Sequence, residues 1–275
     1  MKRDVYKFCG ECLVFTLAFA ILLGFVVACS DSDENIAGGA SGDAGVIAIT
    51  DKQIAGVAQK GPFVKGSSVV LKETSAAGNL KPTGKEFFAT TRSDLGDFVI
   101  DDINLESQYV RLTATGYYKR EYSGENSECQ IRLNALSDVS EENRVNINIF
   151  THMEYARILK LVEKGKSFSE AKKQAHADLE KIVGNVPLRS FESLDVEGNE
   201  VDDEMLKNLS TMIDGCAYNE DIPSDKRCTV GQDFVDAFAN SFGSSGKLPS
   251  ELKVKDFPKN AMAFCMYGFS DVFSN

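Results

Sequence analysis

The sequence predicts an α+β protein, a seven-stranded β-sandwich at residues 46–150 followed by an all-α helical domain of about five helices at residues 151–275. Three observations predict it. Short β-branched and aromatic runs between residues 46 and 150 are separated by turn residues at the spacing of an all-β sandwich. After Phe150 the hydrophobic period becomes helical and helix-start signals appear. A chain of 275 residues with 43% hydrophobic residues can also supply the core that both layers need.

The seven strands are expected at residues 54–59, 67–74, 85–92, 97–100, 109–117, 129–136 and 145–150. Turn chemistry at Gly61-Pro62 and at the Asp-Leu-Gly-Asp of residues 94–97 separates them. In the fifth strand Val110, Leu112 and Ala114 alternate with Arg111, Thr113 and Thr115, so one face is buried and one is wet. The acids Asp94, Asp97, Asp101 and Asp102 read as hairpin-end hydrogen-bonding residues rather than as a calcium site or a catalytic pair.

Thr151 to Glu154 form a capping box for the first helix, whose stripe is Met153, Ala156 and Leu159 and whose end is Gly165. Ser167 to Glu170 form a second box, leading into Ala171, Ala175 and Leu179 and a stop at Gly184. These two helices should pair as a hairpin. A third helix starts at Asp202, with Asp203 and Glu204 favourably placed at its positive end. Upstream, Asp195, Glu197 and Glu200 do not make an EF-hand loop, because Gly198 falls too early. A fourth helix opens at Thr229 with the core stripe Phe234, Phe238 and Phe242, and a fifth is expected at residues 261–273.

The N-terminus carries Lys2, Arg3 and Lys7, then an uncharged run from Leu13 to Cys29, then Ser30 and the acids Asp31, Asp33 and Glu34. That order is an export signal. An uncleaved membrane helix is the alternative, since the run sits at the lower limit of roughly 17–25 residues for a span; a boundary cysteine is unnecessary for it. Val26-Val27-Ala28-Cys29 resembles the lipobox of bacterial lipoproteins. The resemblance implies that residues 1–28 are a removed signal peptide and that Cys29 is the lipid attachment site, open to labelling with a palmitate analogue. Residues 29–45, rich in Gly, Ser and Asp, are then a flexible acidic tether. Ser30 in place of an inner-membrane retention Asp implies the outer membrane. The following acids resemble surface-export signals, with the periplasmic face as the alternative.

Cys9 and Cys12 would leave with the signal, so their CxxC spacing carries no chemistry. Cys129, Cys216, Cys228 and Cys265 remain and allow three complete pairings. Cys216 and Cys228 flank a polar loop and are the expected disulfide; buried free thiols are the alternative. No metal site or cofactor is expected, as His152 and His176 have no partner ligands at suitable spacing.

A net charge of -11 opposes phosphate backbones and excludes nucleic acid as a partner. The sequence lacks GxSxG, HExxH and Walker motifs. The segments GVAQKGPFVKGSSVVLKE, SDLGDFVI and LTATGYYKREYSG look like the prealbumin-like or carboxypeptidase-regulatory-like β-sandwich of bacterial surface lipoproteins. The continuation IRLNALSDVSEENRVNINIF is similar to predicted lipoproteins of fibre-degrading gut bacteria, and the resemblance covers residues 54–184. It implies a non-catalytic scaffold, adhesion or binding module, not an enzyme, anchored to the membrane by lipid and facing cell-surface glycans or envelope proteins. The alternatives are an accessory polysaccharide hydrolase, for which two carboxylates would suffice, and a periplasm-facing envelope-structure protein. Trp is absent, so Tyr117 and Tyr118 are the candidate ligand-binding aromatics, set against a tyrosine-rich strand packed under the helices.

Overall fold

Strands that bury every second residue need a second layer, and here two antiparallel sheets and a set of helices supply it to one another. The structure, a computed structural model, describes residues 45–75, 79–121, 123–217 and 224–248. The strands are β1 (Ile49–Val57), β2 (Ser68–Thr74), β3 (Pro82–Thr90), β4 (Asp97–Leu105), β5 (Tyr109–Gly116) and β6 (Ile131–Asp138). β1 pairs with β4, and the larger sheet has the order β3-β2-β5-β6. In β5 the buried residues are Val110, Leu112 and Ala114, and the register sets Leu71 and Ala135 on either side of Leu112.

The described residues form six strands, which corrects the seventh strand expected at residues 145–150. That segment does run parallel to β1, with bridges from Arg144 to Ala55 and from Ile147 to Ala58. The ladder breaks between them because the Val57 amide donates to the side-chain Oδ1 of Asn146 (3.1 Å) in place of a backbone carbonyl. Gly56 lies opposite the break, where a Cβ would strike the carbonyl of Val145. Any larger residue would push the segment off the sheet.

The helices are α1 (Ile149–Glu163), α2 (Phe168–Ile182), α3 (Val201–Ala217) and α4 (Ser224–Ser245), with a single 3-10 turn at Phe191–Ser193 before α3. The expected fifth helix at residues 261–273 lies outside the described residues, as do residues 1–28, the tether up to residue 44, and Cys29. α1 starts earlier than expected. Its cap is Asn148, whose side chain accepts from the Thr151 amide (2.9 Å) while the Thr151 hydroxyl accepts from the Asn148 amide (2.8 Å). Thr151 is thus the last residue of the box rather than its first, and Glu154 is released to point inward. The Ser167–Glu170 box forms as expected at the start of α2. α4 begins at Ser224, upstream of the expected Thr229, and carries Cys228 in its opening turns.

One apolar core contains Ile54, Leu112, Phe150, Phe191, Leu206 and Phe238, so β1 through α4 close around the same interior. The outer edge of β6 is covered by side chains instead of a strand. The Gln232 amide accepts from the Arg132 N–H (2.7 Å) and donates to its carbonyl (3.2 Å). His152 Nδ1 accepts from the Asn134 N–H (3.1 Å), and Lys172 Nζ donates to the Leu136 carbonyl (3.3 Å). Covering an exposed ladder in this way prevents pairing with another chain.

Candidate functional site

Two lysines with completely buried side chains organise the polar interior, and each belongs to a different layer junction. Lys172 enters from α2 and meets Glu154 of α1 at 2.5 Å and Glu192 of the 3-10 turn in a closer contact. The three side chains are 0%, 1% and 0% exposed, so water cannot stand in for a missing partner. Glu192 also accepts from the hydroxyls of Ser137 (2.8 Å) and Ser190 (3.1 Å). Glu154 Oε1 has no hydrogen-bond partner among the described residues. Burial pushes the Glu154 carboxyl up to about 8 against the pull of Lys172, and Glu192 adds to the rise. Burial alone would lower the Lys172 pKa, but the two carboxyl groups outweigh it and raise it. Burial thus favours the neutral form of the Glu154 carboxyl even beside Lys172.

Lys60 lies in the turn after β1, where its ammonium meets Glu121 (3.0 Å) and Asp214 of α3 (3.3 Å) and sits 4.6 Å from the centre of the Tyr118 ring. Arg120 Nε reaches the other oxygen of Asp214 at 2.8 Å. Ser210 of α3 bonds both the Lys60 carbonyl and Glu121. Two cations thus face two carboxylates, and the QKGPF stretch is tied to α3 by charge. A third junction joins Arg157 of α1 to Asp178 of α2 (2.9 Å) and to the Gly243 carbonyl of α4 (3.1 Å).

Tyr118 is buried, and its hydroxyl donates to Asp214 at 3.1 Å, so it is part of the Lys60 junction. Tyr117 is 42% exposed. The two neighbours point to opposite sides of the layer, and the structure does not bring them together as one aromatic surface. His176 is stacked on Phe191 with ring centres 4.3 Å apart and donates from Nε2 to the Leu188 carbonyl (3.1 Å); burial lowers its pKa. His152 serves the edge of β6, with Nε2 3.3 Å from Asp236.

The disulfide joins Cys129 to Cys228, which corrects the expected pairing of Cys216 with Cys228. Cys129 lies just before β6 and Cys228 near the start of α4, whose Gln232 docks on β6. The fold therefore brings together cysteines 99 residues apart. Proximity in sequence favoured the wrong partner. Among the described residues no group of three or more His, Cys, Asp or Glu is arranged to hold a metal ion, and no helix is long and apolar enough to cross a membrane. A shallow open groove of about 410 Å³ runs along residues 47–53 beside Ser140 and Asn143. Lys52 in its wall donates to the Ser140 carbonyl (3.1 Å). None of Lys60, Lys172 or their ion-pair partners lines this groove.

The sequence signals for these clusters were weak. Lys60 lies in a stretch singled out for its resemblance, and a lone Lys172 or Arg157 on an amphipathic helix carries no sign of burial, since such residues are mostly exposed. No family model, curated protein or solved structure gives a match to the chain.

Proposed function

We propose that the chain is an exported lipoprotein of the bacterial outer membrane, anchored through Cys29 and presenting a non-catalytic scaffold or binding body beyond an acidic tether. The observation that carries this reading is Val26-Val27-Ala28-Cys29, at the end of an uncharged run and directly before Ser30 and three acids. The interior chemistry is consistent with it. The buried ionisable groups of the Lys60 and Arg157 junctions are consumed in holding strands and helices together. Of the two candidate tyrosines, Tyr117 is the one that faces solvent and is open to a glycan or an envelope protein.

Replacing Cys29 by Ala is expected to abolish labelling with a palmitate analogue and to move the protein out of the membrane fraction. Retention in the membrane at unchanged mass would instead establish an uncleaved helix. Protease treatment of intact cells then separates a surface position, in which the body is digested, from a periplasmic one.

A further inference from the structure

The Lys172 cluster differs from the Lys60 cluster in one respect that bears on chemistry. At Lys60 two cations meet two carboxylates, and the charges cancel. At Lys172 one amine meets two carboxyl groups, Glu154 and Glu192, in a space that leaves none of the three side chains more than 1% exposed. Glu154 Oε2 is 2.5 Å from Nζ, and its other oxygen has no partner among the described residues. The amine is thus held against the carboxyl group of one acid through its Oε2, while a second acid touches the same nitrogen and is itself held by two serine hydroxyls.

We infer that Lys172 and Glu154 condense to an intramolecular isopeptide bond, with Glu192 as the proton relay. Lys172 first gives a proton to Glu192, which converts the ammonium to a nucleophilic amine. The nitrogen lone pair attacks Cδ of the neutral Glu154 acid, and a C–N bond forms. Glu192 passes its proton to the departing hydroxyl and takes one from the new C–N nitrogen; the C–O bond breaks and water leaves. The products are one amide, one water and a protonated Glu192. No oxidant, reductant or activating group is needed.

Three physical arguments favour the step. The reactants are held together by the fold, so that encounter carries no further entropic cost. Burial favours the neutral form of Glu154, which is the protonation state that an amine can attack. The starting cluster holds a desolvated ion pair and the product holds none, which removes the penalty of keeping two opposite charges out of water. Release of water from a closed site also opposes the reverse hydrolysis.

The test is made on the full-length chain as purified, denatured and digested with trypsin. The expected result is one branched species joining the peptide that bears Glu154 to the peptide that bears Lys172, lighter than their sum by one water and uncut after Lys172. Recovery of both peptides unlinked, with cleavage after Lys172, overturns the inference. A branch from Lys172 to Glu192 overturns the choice of Glu154 as electrophile. The Glu192→Gln variant is expected to fold with an unchanged circular dichroism spectrum and to stay unlinked; a full yield of branched peptide from it overturns the relay. Should that variant fail to fold, the result on the natural chain still decides whether the bond exists.

Discussion

Glu73 shows how one buried acid can hold a turn. It projects inward from β2, and its Oε1 accepts the backbone N–H groups of Glu106 and Ser107 (3.0 Å to the latter), where the chain passes from β4 to β5. Its Oε2 accepts from the Thr83 hydroxyl at 2.6 Å. Burial alone would raise its pKa, but these donors, helped by Lys85, outweigh burial and hold it below the usual 4.5. A depressed acid contributes stability that is present above the unfolded pKa near 4.5 and is lost as pH falls through the lower folded value. Glu73→Gln presents an NH₂ group where the turn needs an acceptor, and is expected to lose about 1–3 kcal/mol at neutral pH. The same variant should lose less than the natural protein on acidification, as urea melts across the acid range would measure. An equal acid dependence in both would remove Glu73 as its source. Nothing in the sequence around Glu73 announces this role, because its partners lie 33 and 34 residues away.

At the scale of the element, the two capped helices form a comparison. Ser167 caps α2 at the surface with a box closed by Glu170, whereas Asn148 caps α1 in the interior and its Nδ2 also donates to the Phe191 carbonyl at 2.7 Å. Ser167→Ala should therefore cost about 1 kcal/mol. Asn148→Ala removes the cap and leaves the Phe191 carbonyl with only the long bond from the Leu194 N–H (3.4 Å), so a loss of roughly 2–4 kcal/mol is expected from the two contributions together. Denaturant melts of the two variants measure the order, and an equal loss would mean that the Asn148–Phe191 bond is compensated. The same contrast explains what could be read in advance. The Ser167 box is local and unopposed, so its helix was legible to the residue. For α1 the sequence pointed to Thr151, and the start moves to Asn148 because Glu154 is bound to Lys172 and does not reach back to a cap at Thr151. The turns and the pleat of β2 to β6 were legible from period and punctuation. The loss of the seventh strand was not, since it depends on Asn146 meeting Val57 across 89 residues.

The whole molecule is held by contacts that tie the strand half to the helical half. One core runs from Ile49 to Phe242. Lys60 and Asp214 join the turn after β1 to α3, and the disulfide joins the approach to β6 to α4. Composition could announce that both halves exist, but neither these pairings nor the edge covering of β6 has a sequence period, so the mutual dependence of the halves was invisible. It leads to a definite expectation for fragments. Residues 46–150 alone keep their strands but lose Gln232 and Lys172, which satisfy Arg132 and Leu136 along β6. They also leave Lys60 without Asp214 and expose the strand side of the common core. An uncovered edge next to apolar surface is a template for association. Residues 151–275 alone keep short helices whose buried stripes, including Phe234, Phe238 and Phe242, have lost the sheet, and such helices draw most of their stability from tertiary packing. The intact body should therefore unfold in one cooperative transition, with near-ultraviolet circular dichroism, far-ultraviolet circular dichroism and fluorescence coincident. Each fragment by itself should show secondary structure without a sharp melt, and mixing the two should restore the near-ultraviolet signal. A sharp, concentration-independent melt of residues 46–150 on their own would show that the strand half is autonomous and that the buried junctions merely dock the helices onto a finished sandwich.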